Sequence, residues 1–375
     1  MTARHGDLTL CLTGDVMTGR GVDQLLPHPG DPQLWEGYVT DARTYLALAE
    51  TAHGPAPRPA DPSWPWGEVL DRLAAAEPAV RIINLETSIT SRGAPEPGKA
   101  VHYRMSPANI DVIRIARPDA CILANNHTLD FGPVGLLDTL DALASVGLTP
   151  VGAGVDAATA AAPAAIPVAG GACRVIVAGY GSGTAGVPRH WAATAGRPGV
   201  NLLPDLSTTT AGAVADQLRA AARPGDITVA SVHWGANWGY EVPAAQTAFA
   251  HRLIDGGVDL VHGHSSHHFR PIEFYRGRPI LYGCGDLIDD YEGITGYERF
   301  RPDLRLLYFA RFAVATGELR GLSMAPLRMR RLQLAPTTVA ETTLLAATLD
   351  QLSRPYGSRV LVDGDGTLRV EPDHG

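Results

Sequence analysis

Four histidines lie within seven residues of one another, between His262 and His268. They follow an apolar run, 258–261, that is typical of a buried strand. Neutral imidazole is the commonest metal ligand in proteins, and histidines with aspartates nearby suit Zn, Mn or Fe. In open α/β sheets, the loops at the carboxyl ends of strands build the binding sites. The segment therefore predicts a metal site.

Carboxylates, an amide and further histidines follow four other strand-like runs earlier in the chain. These runs cover 8–12, 80–83, 120–123 and 227–232. A dinuclear metal site needs anionic ligands, a carboxylate able to bridge the ions, and neutral nitrogens for the remaining positions. Each residue alone has an ordinary structural explanation, but the set together favours such a site. The predicted constellation is Asp15, Glu86, Asn126, His127, His233, His264 and His267.

Strand-like and helical segments alternate through most of the chain, which predicts an α/β architecture. The segment 243–255 has Pro at its start and Gly-Gly after it, as expected of a helix. We expect β-hairpins over 272–282 and 304–327. A terminal helix over 338–354 and a small hairpin over 359–370 complete the predicted elements.

Residues 28–67 are rich in Pro, Gly and Trp and contain one helical stretch, 38–50. We interpret this segment as a long loop or lid, because Trp64 and Trp66 need a surface on which to pack. A single helix is expected over 107–116.

The composition is that of an ordinary globular protein, with 45% hydrophobic residues. No apolar run is long enough to span a bilayer, and the N-terminus lacks a signal-peptide apolar region, so no membrane anchor is expected. The four cysteines are scattered and are expected to be buried and reduced, which favours a cytoplasmic location. A net charge of −8 argues against nucleic-acid binding. Lys99 is the single lysine among 31 lysines and arginines.

The same residues also carry a family resemblance. In chain order they stand in Gly-Asp-x-Met-x-Gly-Arg, Asn-Leu-Glu, Ala-Asn-Asn-His-x-x-Asp-x-Gly, His-Trp-Gly and Gly-His-x-x-His, followed by Pro-Ile-Glu and Ile-Leu-Tyr-x-x-Gly. Over roughly 8–291 this order resembles the CapA family, which is linked to capsule and poly-γ-glutamate synthesis. CapA proteins look like a branch of the calcineurin-like metallophosphoesterases. The resemblance implies an α/β fold, a four-layer α/β/β/α sandwich, with a dimetal site at the edge of its two central sheets.

The resemblance also implies how the chain is divided. A metallophosphoesterase-like CapA domain would span 1–330, with the lid segment 28–67 inserted in it. The C-terminal helix and small hairpin, within 331–375, would pack on the core of that domain.

Roles carry over from the family to individual positions. Asp15 resembles the aspartate on one metal, and Glu86 stands where the superfamily has its bridging aspartate. Asn126 looks like the amide ligand, and His233 resembles a ligand of the second metal. His127 resembles the histidine beside the scissile group, a candidate general acid that would protonate the leaving oxygen.

The last motif matches the family less closely. His264 and His267 stand in it, His268 is additional, and which of the three bind metal is left open. Met17 occupies the position at which the superfamily has a metal-binding histidine, as CapA proteins generally do. This substitution alters one metal position.

Asp15 and Arg20 join His127 as candidate catalytic residues, and Arg20 is also one of four candidates for contacting substrate. Arg20 would hold an anionic group bidentately, or else pair with Glu86 or Asp15. Weaker candidates are Glu241, which is equally an acidic residue at a helix start, and His268. Asp286 begins an acidic loop that favours a cationic substrate group, repels polyanions or forms a capped turn.

The leading hypothesis is a hydrolase that uses two divalent metal ions, Mn, Fe or Zn, and metal-bound hydroxide to attack a phosphoester or related bond. A second hypothesis is hydrolysis or transfer at an amide bond of a poly-γ-glutamate-like or other peptide substrate. A third is a non-catalytic accessory protein of polymer biosynthesis. The expected partner is therefore a small-molecule or peptide-like substrate.

Overall fold

The computed structural model describes residues 6–168, 170–171 and 173–373. Helices and strands alternate through the first three quarters of these residues, and strands predominate after that. The α-helices are α1 (Arg20–Leu25), α2 (Arg43–His53), α3 (Glu68–Ala76), α4 (Asp111–Arg114), α5 (Gly132–Ser145), α6 (Ala157–Ala161), α7 (Thr208–Ala221), α8 (Ala244–Asp255) and α9 (Val339–Ser353).

The strands form two large sheets and two small two-stranded ones. They are β1 (Asp7–Val16), β2 (Val80–Leu85), β3 (Ser88–Ile89), β4 (Arg104–Met105), β5 (Ala120–Ile122), β6 (Pro150–Val151), β7 (Ala153–Gly154), β8 (Ala164–Pro167), β9 (Arg174–Ser182), β10 (Gly199–Val200), β11 (Leu202–Leu203), β12 (Ile227–His233), β13 (Leu260–His264), β14 (Ile272–Tyr275), β15 (Arg278–Leu281), β16 (Asp286–Ile288), β17 (Leu304–Ala313), β18 (Leu319–Met329), β19 (Leu334–Pro336), β20 (Ser358–Val362) and β21 (Leu368–Pro372).

The first large sheet has the strand order β20-β21-β18-β17-β1-β2-β5-β6, with β16 pairing with β1 and β19 with β18. The second has the order β11-β9-β12-β13-β15-β14, with β8 pairing with β9. The neighbours β1, β2, β5 and β16 are parallel, as are β9, β12 and β13. Each sheet therefore presents several carboxyl strand ends at one edge.

The two sheets pack face to face around a shared core. Side chains alternate along each strand, so Leu10 and Leu12 of β1 enter this core while Cys11 faces the outer side. Val229 of β12 and Leu260 of β13 enter the same core from the second sheet. Hydrophobic residues of both sheets thus form the centre of a sandwich.

Helices cover the outer face of each sheet. Val69 of α3 and Leu136 of α5 are buried against the first sheet. Leu218 of α7 and Phe249 of α8 are buried against the second. The layers are therefore helix, sheet, sheet and helix, and the predicted α/β/β/α sandwich is confirmed.

The lid segment is tied to the body of the protein by its tryptophans. Trp66 is buried and donates from Nε1 to Val112 O at 2.6 Å, and Trp64 donates to Arg331 O at 3.0 Å. Its helix, α2, begins and ends three to five residues later than the predicted 38–50. The lid segment is therefore packed against the rest of the protein.

The C-terminal segment adds to both the first sheet and the central core. The β20-β21 hairpin pairs with β18, and Leu345 and Leu349 of α9 are buried in the core between the sheets. The outer ends of the two predicted domain ranges, 1–5 and 374–375, lie outside the described residues.

The helix predicted over 107–116 is instead a 3₁₀ turn followed by the short α4. The buried Asn109 ends this turn, and its amide donates to Asp23 Oδ1 at 2.7 Å and to His28 O at 3.1 Å. These contacts with α1 and the lid segment favour the tighter turn over a continuous helix.

All four cysteines are buried free thiols, as expected. Among the described residues, no helix combines the length and the apolar character that a bilayer crossing requires.

Candidate metal centre

Asp15, next to the last residue of β1, lies beside Asp286, the first residue of the parallel strand β16. Asp15 is in register with Asp286 on β16 and with Asn84 on β2. The Asp15 backbone N–H donates to Gly285 O at 2.9 Å. This close approach needs glycine, because a Cβ at Gly14 would lie 1.6 Å from Gly285 O. Two Gly-Asp sequences therefore bring two carboxylates to one sheet edge.

The second sheet presents histidines at the same edge. His233 ends β12, His264 ends β13, and the parallel register places them opposite each other on neighbouring strands. Two groups of side chains have ligand atoms within 4.8 Å of one another: Asp15 with His233 and His264, and Asp15 with His267 and Asp286. We call these five buried residues, together with the adjoining Glu86, the ligand cluster. Asp15 belongs to both groups.

Two carboxylate oxygens of the ligand cluster are unpartnered. Asp15 Oδ2 and Asp286 Oδ2 are buried, and neither accepts a hydrogen bond. A buried carboxylate oxygen costs free energy unless a cation or a donor compensates it. Carboxylate oxygens together with imidazole nitrogens suit Mn, Fe or Zn. The residues present therefore fit the two divalent metal ions that the sequence predicts.

Glu86 and Asn126, the other predicted ligands, lie beside His233. Glu86 Oε1 is 3.8 Å from His233 Nε2 and also 3.8 Å from His127 Nε2. Asn126 Oδ1 is 2.9 Å from His233 Nε2. The structure thus brings all the predicted ligands together. The residue common to the two groups is Asp15, however, whereas the resemblance gives the bridging position to Glu86.

The four histidines between His262 and His268 differ in what their ring nitrogens contact. His262 lies between the Ser231 hydroxyl at 3.0 Å and a backbone carbonyl at 2.8 Å. Both nitrogens of His268 contact backbone groups, at 2.9 and 3.1 Å. His264 and His267 belong to the ligand cluster. Of the three histidines whose metal binding the sequence left open, His268 is thus the one outside the candidate ligands.

Burial and crowding change the protonation of the ligand cluster. Burial and the charge of Asp286 raise the pKa of Asp15 to about 7. Burial and Asp15 raise the pKa of Glu86 well above its usual range. Burial lowers the pKa of His233, whereas Asp286 overcomes burial and raises the pKa of His267. Cations at these atoms would displace the extra protons.

His127 contacts the ligand cluster on one side and a buried ion pair on the other. Its Nε2 is the atom near Glu86 Oε1. Its Nδ1 lies 2.7 Å from Asp130 Oδ2 and 2.9 Å from Lys99 Nζ, and Lys99 forms a salt bridge with Asp130. Burial and Lys99 lower the pKa of His127 to about 4. The imidazole is therefore neutral near pH 7.

Known proteins are similar to this chain over most of its length. The family described as bacterial capsule synthesis protein PGA_cap matches residues 9–291, which include every residue of the ligand cluster. The chain belongs to the PGA_cap family. The predicted CapA resemblance is thereby confirmed.

Relatives of this PGA_cap protein include a probable polyglutamine synthesis accessory protein of Mycobacterium tuberculosis. It is 51% identical over 366 residues, which cover 97% of this chain and 96% of the relative. The PGA biosynthesis protein CapA of Bacillus subtilis is 27% identical over 267 residues, covering 69% of this chain and 66% of the relative. A phosphatase structure from Mycoplasma pneumoniae shares 11% identity at a TM-score of 0.47, covering 86% of this chain and 94% of that one. That likeness is too distant to bear on fold or activity.

In this PGA_cap protein, Arg20 lies outside the ligand cluster. Its Nη1 donates to Glu36 at 2.7 Å, and its Nε and Nη2 bind the Asp290 carboxylate. The alternative of an ion pair is therefore the one observed, although the partners are neither Glu86 nor Asp15. The guanidinium is buried, and the structure does not place it where it would hold an anionic substrate.

The acidic loop that follows Asp286 is not a free negative surface. Its carboxylates pair with basic side chains of other segments: Asp289 with Arg305, Asp290 with Arg20, and Glu292 with His53. The loop therefore stabilises the junction between the first sheet and the lid segment. Neither attraction of a cationic substrate nor repulsion of polyanions is favoured by these pairings.

The three weaker substrate candidates lie in different environments. Glu241 is exposed, and its carbonyl oxygen accepts from Arg270 at 2.6 Å. His268 is buried and stacks on Phe300 with ring centroids 4.7 Å apart. Asp286 belongs to the ligand cluster, so the structure places it among the candidate metal ligands.

Several residues that build this site were not singled out from the sequence. Asn84 donates to Asp15 at 2.7 Å and to Glu86 at 2.9 Å, and so orients both carboxylates. Its signal is its place in the Asn-Leu-Glu motif. Asp130 stands in the Ala-Asn-Asn-His-x-x-Asp motif, and Lys99 is the single lysine. The sequence shows both residues, but it does not show that their side chains contact His127.

Proposed function

We propose that this protein is a divalent-metal-dependent hydrolase that acts on a phosphoester or a related bond. The observation that carries the proposal is that two ligand groups share Asp15, with buried, unpartnered oxygens on Asp15 and Asp286. Adjacent metal ions sharing a carboxylate recur in enzymes that hydrolyse phosphoesters.

Two sets of residues in this chain would each hold one ion. One ion would be held by Asp15, His233 and His264, and the other by Asp15, His267 and Asp286. The ions, when bound, would polarise the substrate oxygen and lower the pKa of a water molecule. Burial of the ligand side chains keeps the site dry enough for these charges to act strongly.

His127 would act on the leaving group. As a water oxygen bonds to phosphorus, the bond from phosphorus to the leaving oxygen breaks, and its electron pair stays on that oxygen. The leaving oxygen takes a proton from His127 Nε2, the nitrogen that faces the ligand cluster.

A second candidate function comes from the relatives. The Mycobacterium tuberculosis relative is named a probable polyglutamine synthesis accessory protein, and its similarity covers 97% of this chain. This favours hydrolysis or transfer at an amide bond of a poly-γ-glutamate-like or other peptide substrate, or a non-catalytic accessory role. The cytoplasmic location stays a prediction in either case.

Metal content tests the proposal first. We expect about two Mn, Fe or Zn ions per wild-type chain, because two ligand groups are present. Asp15→Asn should remove both ions, and Asp286→Asn and His264→Ala should each remove one. His190→Ala is the control, because His190 is exposed and pairs with Glu96, and neither residue belongs to a ligand group. Wild type without metal, even after addition of Mn, contradicts the proposal.

Substrate preference then separates the two candidates. The metal-loaded protein is incubated with phosphodiesters, phosphomonoesters and γ-glutamyl peptides, and product release is measured. Phosphoester hydrolysis that is lost in Asp15→Asn supports the first candidate. Peptide cleavage or transfer alone supports the second. Metal binding without turnover of any of them supports an accessory role.

A further inference from the structure

The side chain of Lys99 carries an amine, whereas every other residue among the lysines and arginines of this chain carries a guanidinium group. It is the single lysine among 31 lysines and arginines. Arginine fills even buried positions, as in Arg20 and Arg305. Lysine differs from arginine in having a compact ammonium group that is able to release a proton. Its use at one internal position suggests that this position needs those properties.

The surroundings of Lys99 are those of an internal group and not of a surface charge. Its side chain is 15% exposed, and Nζ lies 5.5 Å from the centre of the Trp191 ring. Nζ also lies 2.9 Å from His127 Nδ1 and forms a salt bridge with Asp130. Lys99 therefore contacts the ring nitrogen of His127 that faces away from the ligand cluster.

Asp130 holds this arrangement in place. One of its oxygens binds Lys99, and the other accepts from the backbone N–H of Tyr103 at 2.7 Å. His127 Nδ1 is thus within hydrogen-bonding distance of a donor, Lys99, and of an acceptor, Asp130. Protons can be exchanged along such a contact without movement of the backbone. Burial also lowers the pKa of Lys99, although Asp130 opposes this shift.

We propose that Lys99 supplies His127 with the proton that the leaving group takes. The inference rests on the proposed hydrolase function. His127 gives its Nε2 proton to the leaving oxygen while Lys99 passes a proton from Nζ to Nδ1, so that the imidazole stays neutral and Lys99 becomes an amine. The proton lost by the attacking water returns through solvent and restores the ammonium group.

Substitution by arginine separates this role from that of a fixed charge. Arginine keeps the positive charge and its hydrogen bonds, but it does not release a proton. Lys99→Arg and Lys99→Met are compared with wild type on two phosphodiesters. Bis-p-nitrophenyl phosphate has a leaving group that departs as a stable anion, whereas diphenyl phosphate has one that benefits from a proton.

We expect both variants to lose about 100-fold in kcat on diphenyl phosphate, the low end of the range for general acid catalysis. On bis-p-nitrophenyl phosphate, each variant should stay within about threefold of wild type, because that leaving group needs little protonation. KM should change little on either ester. Metal content should match that of wild type in both variants. The melting temperature should be unchanged in Lys99→Arg but lower in Lys99→Met, which leaves the buried Asp130 carboxylate without its cation. Arg92→Lys serves as the control, since Arg92 forms an exposed ion pair with Asp138 and should leave both activities unchanged.

Three results would overturn the inference. If Lys99→Arg keeps wild-type activity on diphenyl phosphate, the position needs only a charge. Equal losses on both esters indicate a structural or substrate-binding role. If metal-loaded wild type hydrolyses neither ester, the hydrolase proposal itself fails and the role of Lys99 fails with it.

Discussion

Side chains of the same type have different surroundings in this protein, because neighbouring groups decide what their polar atoms contact. His267 and His268 are adjacent, yet only the first has a ring nitrogen among the candidate metal ligands. His268 has both nitrogens on backbone groups and a stacked phenyl ring. Arg20 likewise has its guanidinium bound by two buried carboxylates. At this scale, residue identity defines candidates and hydrogen bonding selects among them.

Arg20 is predicted to matter for stability. Arg20→Ala leaves the buried Asp290 and Glu36 without their shared cation, so the free energy of unfolding should fall by about 3–5 kcal/mol. Arg43→Ala removes an exposed pair with Asp41, with side chains 65% and 37% exposed, and should cost less than about 0.5 kcal/mol. Denaturant titration of both variants measures this difference. Similar values for the two, together with a higher KM for Arg20→Ala, would instead indicate substrate binding.

Strand register creates the site at the scale of elements. Asp15, Asn84 and Asp286 are in register on three neighbouring parallel strands, and His233 and His264 on two others. Parallel pairing places the carboxyl ends of β1 and β2 side by side, and β16 begins next to them, so residues far apart in sequence become neighbours. The contact between β1 and β16 is especially close, because Gly14 and Gly285 meet through their backbones.

Gly14→Ala is predicted to separate these two strands. The added methyl carbon would lie 1.6 Å from Gly285 O, a backbone atom that moves only with β16. We expect a loss of at least ~3 kcal/mol in stability, at the upper end of overpacking costs, with weaker metal binding by Asp286. Gly37→Ala is the matched control, because its added methyl group meets no atom within 4 Å. Calorimetry and metal analysis on both variants test this. Wild-type metal content and stability in Gly14→Ala would show that the strands tolerate a wider spacing.

The whole molecule is a sandwich whose candidate metal centre joins its two sheets. Asp15 and Asp286 come from the first sheet, and His233 and His264 from the second. The lid segment and the acidic loop are linked to each other by Arg20 and Glu292. Metal binding would therefore connect the two sheets at an edge where His262 Nε2 of the second sheet already lies 2.8 Å from Thr13 O of the first.

Metal removal is predicted to lower the stability of the entire fold. A ligand at 100 times its Kd stabilises the folded state by about 2.7 kcal/mol, which for a chain of this size is about 5 °C in melting temperature. EDTA should therefore lower the Tm of wild type by about that amount, and added Mn or Zn should restore it. Asp15→Asn should respond to neither treatment. An unchanged Tm in wild type would mean that the cluster does not link the sheets through metal.

Local patterns in the sequence were sufficient for part of this architecture. Apolar strand-like runs, the Gly-Asp and His residues that follow them, and helix signals such as the Pro before α8 depend on nearby residues, so an α/β architecture and a site at strand ends could be predicted. The four-layer sandwich was implied by the family resemblance. The hairpins β14-β15 and β17-β18 were predictable for the same reason, since short turns join adjacent strands.

Tertiary structure decided the assignments within the site. That Asp15 is common to both ligand groups, that Asp286 joins them, and that Arg20 is bound by Asp290 all depend on contacts between residues far apart in the chain. The same holds for the pairing of Lys99 with His127. Such contacts are set by the register and packing of whole sheets, which local sequence patterns do not encode. The sequence by itself therefore determined most of the candidate ligands, and the fold decided which further residues join them and which atoms face the site.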